Sequence, residues 1–425
     1  MAIQPAADPA APGPGPAAPP SPRLSPGVRR VFGFIAPVNL SIYLVVGAVP
    51  GVLLPLQVQG IDESNKAANL AVVVGVGAVA AMIASPVAGL LSDRTRSRFG
   101  RRGPWLLGGT LATGLALVGM GFANGVAQLV LAWTIVQIAL NLVISPLTAV
   151  LPDRIPPAVR GSFATLSGVG LMFGALGGQI LGVTFADDIR LGYLLLPGGM
   201  LVAIVLFLVF CPAPSSRDQE NEPFSLTLFL KTFWVSPRRH PDFFWGFMSR
   251  LTLFTGYFLI TGYQLYILQD HIGLGDDAVG KVALLGGISL AAVLVSTSFS
   301  GPLSDRLGRR KIFVIAAAAT MGVAMLVPLF VPTLTGMIVF TVICGLGFGV
   351  YQAVDSALMS QVLPSADTFA KDLGVLNIAA TLPQTIGPFL GGAVVVGFGY
   401  SALFPVGLVL ALLGALSIVP IKSVR

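Results

Sequence analysis

A short basic motif, predicted to be a loop, occurs twice in this chain, each time between two long apolar segments. The first copy reads GLLSDRTRSRFGRRGPW at residues 89–105, and the second reads GPLSDRLGRRK at residues 301–311. Both keep the order Gly, Ser-Asp-Arg and Gly-Arg-Arg, and their aspartates, Asp93 and Asp305, lie about half a chain length apart. Such a repeat in two apolar halves is typical of an internally duplicated transporter. The alternative is that both copies are only cytoplasmic anchors of neighbouring membrane helices. This would explain a single copy, but it does not explain why two copies have matched spacing.

The composition excludes a soluble domain. Hydrophobic residues make up 55% of the chain, charged residues only 10%, and the mean hydropathy is +0.86. Soluble domains carry about a quarter charged residues. Apolar runs long enough to cross a bilayer recur along the chain, which predicts an all-α polytopic membrane protein with twelve transmembrane helices. The net charge of +7 is concentrated in loops that flank these runs, without interleaved aromatic residues, so nucleic acid is not an expected partner.

Several chemical functions are not supported by the residues present. The two cysteines, Cys211 and Cys344, lie at or inside apolar segments, which excludes a disulfide framework. The two histidines, His240 and His271, are far apart in sequence and near loops, so no metal site and no cofactor are expected. No nucleophile–base pair is evident, and we do not expect an enzyme.

The chain divides into two halves of six spans each. We predict a disordered cytoplasmic tail at residues 1–28, a six-helix bundle at 29–211, a cytoplasmic central loop at 212–242 and a second six-helix bundle at 243–425. The first predicted span, about residues 31–58, contains three prolines. The longest polar segment inside the chain separates the halves, and twelve spans place both termini on one side of the membrane.

The distribution of basic residues predicts the orientation. Of the 25 lysines and arginines, 21 fall on the side of the two basic motifs when the spans are counted in order, and Arg250 lies inside a span. Three lie on the other side, namely Lys66, Arg190 and Lys281. The positive-inside rule therefore makes the motif side and both termini cytoplasmic.

Polar residues follow one face of several apolar spans. In the fourth span, Thr134, Gln137, Asn141 and Ser145 are three or four residues apart and so share one helix face. Such stripes either join helices by hydrogen bonds or line a wet cavity, and two carboxamides favour the cavity. The candidate cavity residues from all spans are Asn39, Gln137, Asn141, Tyr257, Gln264, Gln352, Asn377 and Gln384.

Two charged residues lie inside the spans. Asp355 is the only carboxylate within a predicted span and lies one turn from its end, and Arg250 is about seven residues into the seventh span. Charged groups in a bilayer are costly and usually functional. Because they lie at similar depth, we predict an ion pair. One interpretation is a structural pair, and the other is a proton-coupling or gating pair, in which Asp355 is the proton carrier.

The motifs resemble those of the major facilitator superfamily. Gly-x-x-x-Asp-Arg…Gly-Arg-Arg after the second of twelve spans, with a shorter copy after the eighth, is the pattern that carries this resemblance. It implies two pseudo-symmetric six-helix bundles that alternately expose a central cavity, lined by the first, fourth, seventh and tenth helices. It also implies a cytoplasmic gate in which Asp93 docks near Gly374 and Asp305 near Gly161, at the positive ends of helices. The implied gate residues are Gly89, Asp93, Arg94, Arg98, Gly100, Arg101 and Arg102 in the first copy and Gly301, Asp305, Arg306, Gly308, Arg309 and Arg310 in the second.

Within that superfamily, the first motif followed by Pro-Trp resembles the branch of glycoside/cation symporters and sucrose-type sugar transporters. The second span has no acidic residue, however, which argues against the sodium site known in glycoside/cation symporters. The fifth span reads GALGGQ, and the sequence GPFLGG, similar to a drug-antiporter motif, lies in the eleventh span instead. This argues against a standard drug/proton antiporter.

The resemblance and the residues together predict a secondary transporter of the plasma membrane. We expect a monomer in the lipid bilayer that moves a small polar organic solute, a sugar or glycoside first, with the proton as coupling ion. An exporter of drugs or secondary metabolites is the alternative, and uncoupled facilitated diffusion stays open. A membrane sensor would need a signalling domain, which the 31-residue central loop does not offer.

Overall fold

The computed structural model of the chain describes residues 24–217, 238, 240–362 and 369–421, with side chains except at 305, 356–357, 360–362, 369–381 and 385. The described residues form helices and short connections, and none of them is in a strand. All twelve predicted spans are helical. They are α1 (Pro26–Ile61), α2 (Lys66–Arg94), α3 (Gly103–Met120), α4 (Val126–Arg154), α5 (Arg160–Thr184), α6 (Ile189–Phe210), α7 (Pro241–Thr261), α8 (Ala278–Leu307), α9 (Arg310–Phe330), α10 (Leu334–Val362), α11 (Phe369–Phe398) and α12 (Leu403–Ile418).

These helices require a bilayer. Eleven are long and apolar enough to cross one, and the segment Leu382–Phe398 of α11 is also apolar. Large apolar side chains face outward, among them Leu115, Phe330 and Phe398, which are at least 75% exposed. An apolar surface of this extent is stable only against hydrocarbon. The chain is therefore a multi-pass membrane protein.

The prolines of the first span do not interrupt it. Val49–Leu53 forms a π-helical turn inside α1, and the helix continues from Leu54 to Ile61. Pro50 has no N–H group and cannot complete a regular i→i−4 bond, and a wider turn accommodates that loss. The turn itself is packed, with Val52 and Leu53 buried.

The two basic motifs are only partly loops, contrary to the sequence prediction of a loop across residues 89–105. Helix α2 runs on to Arg94, so that Gly89 and Asp93 are helical, and α8 likewise continues to Leu307. Cations in the last turn are favoured by the helix dipole, which helps each helix to extend into its motif. In the second copy Gly308 ends α8 with a φ of 60°, a left-handed conformation that glycine adopts without strain.

The two halves repeat one packing scheme. In the first half the main contacts are α1 with α5, α2 with α4, α3 with α4, α3 with α6, and α1 with α6. In the second half each of these pairs recurs six helices later: α7 with α11, α8 with α10, α9 with α10, α9 with α12, and α7 with α12. The halves meet mainly through α2 against α11 and α5 against α8, which are themselves equivalent under the same repeat. The structure thus shows two pseudo-symmetric six-helix bundles.

The molecule has two faces, which are named here for use below. The basic face carries the start of α1, the end of α12 and both motif copies. The opposite face carries the α1–α2 and α7–α8 connections. The residue boundaries predicted for the tail, the bundles and the central loop stay predictions, although residues 211–216 pack against the first motif, where the Ser216 amide donates to the Ser97 carbonyl oxygen at 3.1 Å.

Candidate functional site

A buried ion pair joins α7 to α10. The Arg250 Nε atom donates to Asp355 Oδ2 at 2.9 Å, and a terminal guanidinium nitrogen contacts the same oxygen. The side chain of Asp355 is 2% exposed and that of Arg250 is 13% exposed. The other carboxylate oxygen of Asp355, Oδ1, is buried and has no hydrogen-bond partner among the described residues. The predicted pair is therefore present, and one acceptor position on its carboxylate is unused in the described part of the chain.

The ion pair lies further from the end of its helix than the sequence analysis placed it. Helix α10 continues to Val362, so that Asp355 is about two turns from its end, or roughly 10 Å, rather than one turn. Arg250 is nine residues after Pro241, where α7 begins. The error arose because residues 359–362 look like a loop when helix ends are judged by hydropathy alone. At this depth solvent access is restricted, and each charge depends on its partner.

Four aromatic rings of α7 and α10 pack together beside this pair. The aromatic cluster consists of Phe254, Tyr257, Phe348 and Tyr351. Tyr257 stacks on Phe348 with ring centroids 4.8 Å apart, and Phe254 lies 5.6 Å from both Phe348 and Tyr351. Tyr351 is one turn before Asp355, and its hydroxyl lies 3.3 Å from Ser249 Oγ. The cluster therefore joins α7 to α10 by ring contacts beside the ion pair, with Tyr351 fully buried and the other three rings partly buried.

Some of the predicted cavity amides are used inside the bundle. The Nδ2 atom of Asn39 donates to the Ile35 carbonyl oxygen at 2.9 Å and to Ser167 Oγ at 3.0 Å, so it joins α1 to α5. Asn141 Nδ2 donates to the Gln137 carbonyl oxygen at 2.9 Å, within α4. Asn39 therefore joins two helices by a hydrogen bond, which is one of the two roles considered for polar stripes. The Nδ2 group of Asn141 has a hydrogen-bond partner within its own helix. Their amide oxygens and the Gln137 side chain are not accounted for by these bonds.

The remaining predicted cavity residues fall on three helices. The spacing of Arg250, Tyr257, Thr261 and Gln264 predicts one shared face of the seventh span. Gln264 is half-buried and follows the end of α7 at Thr261, so it is not on that continuous face. The backbone turns at Gly262 and restarts at Gln264, which breaks the helical periodicity on which that stripe depended. Gln352 and Gln384 are exposed on α10 and α11. The side chain of Asn377 lies outside the described residues.

The first motif ties three helices together at the basic face. Arg102 contacts Asp93 and Ser92 at the end of α2, and its Nε atom lies 3.1 Å from Asp153 Oδ2 in the last turn of α4. Arg101 also reaches Asp153 and lies 3.9 Å from Asp93. The two arginines sit just before α3, so the network fixes the ends of α2, α3 and α4 relative to one another.

The docking of the motif aspartates stays a prediction. The Asp93 carboxylate is paired within its own half, and it is 54% exposed. The surroundings of Gly374 and the Asp305 side chain lie outside the described residues, and the space beside Gly161 is open. In the second copy, the Lys311 ammonium group donates to the Ile421 carbonyl oxygen at 2.9 Å, which ties α9 to the end of α12.

The opposite face carries contacts between the halves that the sequence analysis missed. Lys66 Nζ at the start of α2 lies 2.9 Å from Asp270 Oδ1, in the π-helical turn after α7. The Tyr266 hydroxyl donates to the Pro55 carbonyl oxygen at 2.8 Å, and the Tyr263 hydroxyl donates to Ala67 at 3.2 Å. Lys66 was counted only as one of three outside charges. Its partner is 204 positions away, so sequence spacing gives no signal for the pair.

Close helix packing continues these contacts toward the middle of the molecule. A Cβ atom added at Gly392 of α11 would lie 2.2 Å from the Ala71 Cβ atom of α2, and one added at Gly75 would meet the Phe389 ring at 2.9 Å. On the other side of the interface, a Cβ atom at Gly286 would meet the Gln179 side chain. All these contacts lie between the opposite face and the bilayer midplane, so the two halves are closed there.

A cavity of about 860 Å³ opens at the basic face of the first half. It lies between the first motif, the start of α3, the ends of α4 and α6, and the segment after α6. Gly100 is required there for two reasons. Its φ is 74°, and a Cβ atom would lie 2.6 Å from the Ala213 Cβ atom, so a larger residue would push this segment away.

Two internally repeated six-helix bundles, with a basic motif after the second and eighth helices, define the architecture of a secondary transporter. The model of the Major Facilitator Superfamily matches residues 35–295 and 277–423, and the chain belongs to that family. The family confirms the resemblance at the level of the superfamily. The sugar-transporter branch within it is not confirmed.

Several bacterial relatives are similar at low identity over most of the chain. The chain is 24% identical over 377 residues to the multi-drug resistance efflux pump PmrA of Streptococcus pneumoniae, which covers 86% of this chain and 88% of the relative. It is 26% identical over 366 residues to the multidrug resistance protein MdtG of Escherichia coli strain HS, with 83% and 84% coverage. It is 27% identical over 365 residues to the uncharacterised transporter YddS of Bacillus subtilis, with 80% of each chain covered.

Solved structures confirm the fold. A D-xylose–proton symporter superposes with a TM-score of 0.71 at 16% identity, covering 94% of this chain and 98% of the other. A bacterial homologue of the lysosomal transporter Spinster, in an inward-facing and unoccupied conformation, superposes with a TM-score of 0.70 at 13% identity, with 94% and 95% coverage. At these identities the likeness establishes the fold alone.

Proposed function

We propose that the chain is a proton-coupled exporter of amphipathic organic compounds in the plasma membrane. The observation that carries this proposal is the buried Arg250–Asp355 pair beside the aromatic cluster. A transporter of this family that uses a proton gradient needs a group inside the membrane that can gain and lose a proton. Asp355 is such a group: it is the one carboxylate among the described side chains that is buried inside a membrane-spanning helix.

The coupling step follows from the geometry of the pair. Protonation of Asp355 at its unused oxygen removes the negative charge that holds the guanidinium of Arg250. The contact between α7 and α10 is thereby weakened, and Arg250 becomes available to other acceptors. Asp355 thus binds a proton with different affinity in the two conformations. This difference is required to couple proton binding to a conformational change.

The orientation and the contacts between halves place this step in a transport cycle. We infer that the basic face is cytoplasmic, with both termini, because the bias of lysines and arginines follows the positive-inside rule. The closure at the opposite face then corresponds to a state that is closed to the outside. An exporter in this state takes its substrate from the cytoplasm and releases a proton there before the halves rock to open outward.

The choice of substrate class rests on the surface near the pair. The aromatic cluster offers stacking area to apolar rings, and Arg250 offers a hydrogen-bonding and electrostatic contact once its carboxylate is neutral. The Nδ2 atom of Asn39, a candidate cavity residue, is engaged by Ile35 and Ser167 and is not available to a polar substrate in this arrangement. The names of PmrA and MdtG, as multidrug efflux and resistance proteins, favour the same substrate class.

A second candidate is the import of a sugar or another polar solute by proton symport. The exposed amides of Gln352 on α10 and Gln384 on α11 favour it, since exposed carboxamides within spans suit hydroxyl-rich ligands. Gln352 is one turn from Asp355, so a polar ligand bound there would also contact the coupling pair. The similarity to the xylose symporter supports the fold required and adds nothing on the substrate.

The substrate class is tested by ligand-induced stabilisation of the purified chain. Mono- and disaccharides form one panel, and amphipathic cations such as ethidium, with aromatic natural products, form the other. A compound that binds the folded chain raises its melting temperature, and the rise grows with the ratio of free ligand concentration to Kd. We expect stabilisation by members of the amphipathic panel, and this stabilisation should fall in the Phe348→Ala variant. Stabilisation by sugars alone would replace the exporter with the second candidate.

Coupling is tested separately in proteoliposomes with an imposed pH gradient. We expect the wild-type chain to drive ethidium, or whichever compound the panels identify, against its gradient. Asp355→Asn should abolish this uphill transport and keep downhill exchange. The matched control is Asp276→Asn, which removes an exposed carboxylate in the α7–α8 connection and should transport normally. Uphill transport by Asp355→Asn would exclude Asp355 as the coupling group.

A further inference from the structure

The cavity at the basic face lies away from the interface between the two halves. Its helical walls are α3 and α6, with the last turn of α4. The main contacts of α3 and α6 are with α1 and α4 of their own half and with each other, whereas the halves meet through α2, α5, α8 and α11. A transport route between the halves does not pass through this cavity. A molecule that binds in this cavity is therefore expected to differ from the transported compound.

The lining of the cavity has an apolar part that faces the bilayer. Leu107 of α3 and Val205 and Val209 of α6 line it, and they are 37%, 39% and 65% exposed. Leu106 and Phe207 lie behind them and are buried. A groove between two membrane helices with exposed aliphatic side chains matches a hydrocarbon chain in shape and polarity.

The other part of the lining is strongly basic. Four arginines, Arg98, Arg101, Arg102 and Arg154, line the cavity with one carboxylate, Asp153. Asp153 is shared by Arg101 and Arg102, and Asp93 outside the lining offsets these two further. The lining thus keeps an excess of positive charge at the level where the helices leave the apolar layer.

The other two arginines are held in place by neutral groups. Arg154 donates to the carbonyl oxygens of Cys211 and Pro212 at 2.8 and 3.0 Å. The guanidinium carbon of Arg98 lies 4.6 Å from the centroid of the Phe99 ring. Carbonyl groups and a ring orient these side chains without neutralising them. A phosphate group is the anion that such fork-shaped donors bind best.

We propose that this cavity is a binding site for an anionic phospholipid of the leaflet at the basic face. Its phosphate group contacts Arg98 and Arg154, and one acyl chain lies along the groove between α3 and α6. A soluble anion would use the arginines and leave the aliphatic groove empty, and an uncharged lipid would leave the arginines without a counter-charge. An anionic lipid satisfies both parts of the lining at once. By bridging the first motif and the segment after α6, it stabilises the first half at the basic face.

The experiment uses native mass spectrometry of the full chain, purified in detergent and titrated with phosphatidylglycerol or with phosphatidylcholine of identical acyl chains. We expect phosphatidylglycerol to bind with higher occupancy than phosphatidylcholine. Arg98→Gln should weaken its apparent affinity by about fivefold, as expected for one arginine at a lipid surface. The matched control is Arg306→Gln, an exposed arginine of the second motif, which should leave the affinity unchanged.

A second pair of variants tests the groove without altering charge. Arg154 is left unchanged in both pairs, because its loss would remove two hydrogen bonds to the backbone. Val205→Trp should fill the groove and lower phosphatidylglycerol binding by at least about fivefold, like the loss of one arginine. Val202→Trp adds the same ring one turn earlier on α6, at a residue that is 60% exposed and outside the cavity lining, and should bind lipid normally.

Three results would overturn the proposal. Equal binding of the two lipids would show that the arginines do not select a charge. Displacement of phosphatidylglycerol by millimolar inorganic phosphate would identify a site for soluble anions. Binding of ethidium or another amphipathic compound that is lost in Val205→Trp, with phosphatidylglycerol binding unchanged, would assign the groove to transported compounds.

Discussion

Lys66 and Asp270 form an ion pair between the two halves of the molecule, with 2.9 Å between Nζ and Oδ1. The Lys66 ammonium group also lies 5.1 Å from the centroid of the Tyr266 ring. The side chain of Lys66 is 10% exposed and that of Asp270 is 36% exposed, so the ion pair is partly protected from solvent. These groups belong to different halves, and they must separate when the opposite face opens. The ion pair therefore stabilises the closed state selectively.

The first prediction concerns this pair. Lys66→Gln should shift the equilibrium toward opening at the opposite face by about 1 kcal/mol, or about fivefold, as expected for a partly exposed ion pair. Hydrogen–deuterium exchange measures the shift, as faster amide exchange at residues 66–75 and 386–394.

The exchanged pair Lys66→Asp with Asp270→Lys is the test of specificity, since it should restore slow exchange. Glu63→Gln, which alters an exposed carboxylate in the same α1–α2 connection, is the control and should exchange like the wild-type chain. If Lys66→Gln exchanges no faster than this control, the pair does not hold the opposite face closed.

A second prediction concerns the glycine that permits closure. Gly392→Ala would place a Cβ atom 2.2 Å from the Ala71 Cβ atom, and this overlap exists only when α2 and α11 are together. The added Cβ atom would also lie 2.7 Å from the Tyr263 hydroxyl of its own half, which must shift in either state. The overlap with Ala71 should still favour opening, at a cost to the closed state of about 1–3 kcal/mol. Exchange at residues 66–75 should rise, as in Lys66→Gln.

Gly397→Ala serves as the matched control. It lies further along α11, and a Cβ atom there has no neighbour within 4 Å. Its exchange should equal that of the wild-type chain, or fall slightly because alanine favours helix. Faster exchange in both variants would mean that the effect comes from the helix itself rather than from its contact with α2.

A third prediction concerns the mutual dependence of the two buried charges, Arg250 and Asp355. Arg250→Met leaves the Asp355 carboxylate buried without its cation, which should cost about 3–5 kcal/mol of stability. Arg250→Met combined with Asp355→Leu removes both charges and should recover most of that loss. Thermal unfolding in detergent, compared across the two single variants and the double variant, gives the coupling between the residues. Additive losses would show that the two charges do not depend on each other.

The repeated motif and the hydropathy of the chain were sufficient to predict the architecture. Twelve spans, two equivalent bundles and the depth of Arg250 relative to Asp355 all follow from local composition, because a bilayer forces each apolar run into a helix. The ends of the helices were less predictable. Helix α10 extends past Leu358 and α2 extends into the first motif, since polar residues at a helix end leave the bilayer without leaving the helix.

The partners of side chains were less predictable than the architecture. A polar stripe gives the face of a helix and not the partner, so the bond from Asn39 to Ser167 on α5 has no signal in the sequence. The Lys66–Asp270 pair has no sequence pattern, because its members meet only after both halves have folded and packed. The lipid-facing cavity at the first motif depends on the path of residues 211–216, which the composition of that segment does not specify.

The last prediction uses the cysteine at the end of α6. Cys211 is 3% exposed, and burial raises the pKa of its thiol, although Arg154 and Arg30 oppose the shift. Since the thiolate is the reactive form, maleimide labelling of Cys211 at pH 7 should be at least about tenfold slower than that of Ser215→Cys, an exposed neighbour. The rate for Cys211 should rise about tenfold for each pH unit, as long as the pH stays below the thiol pKa. Both measurements use the Cys344→Ala background, with Cys211→Ala added for the Ser215→Cys chain. Equal labelling of the two positions at pH 7 would show that residues 211–216 do not pack against the first motif, and would remove one wall of the proposed lipid site.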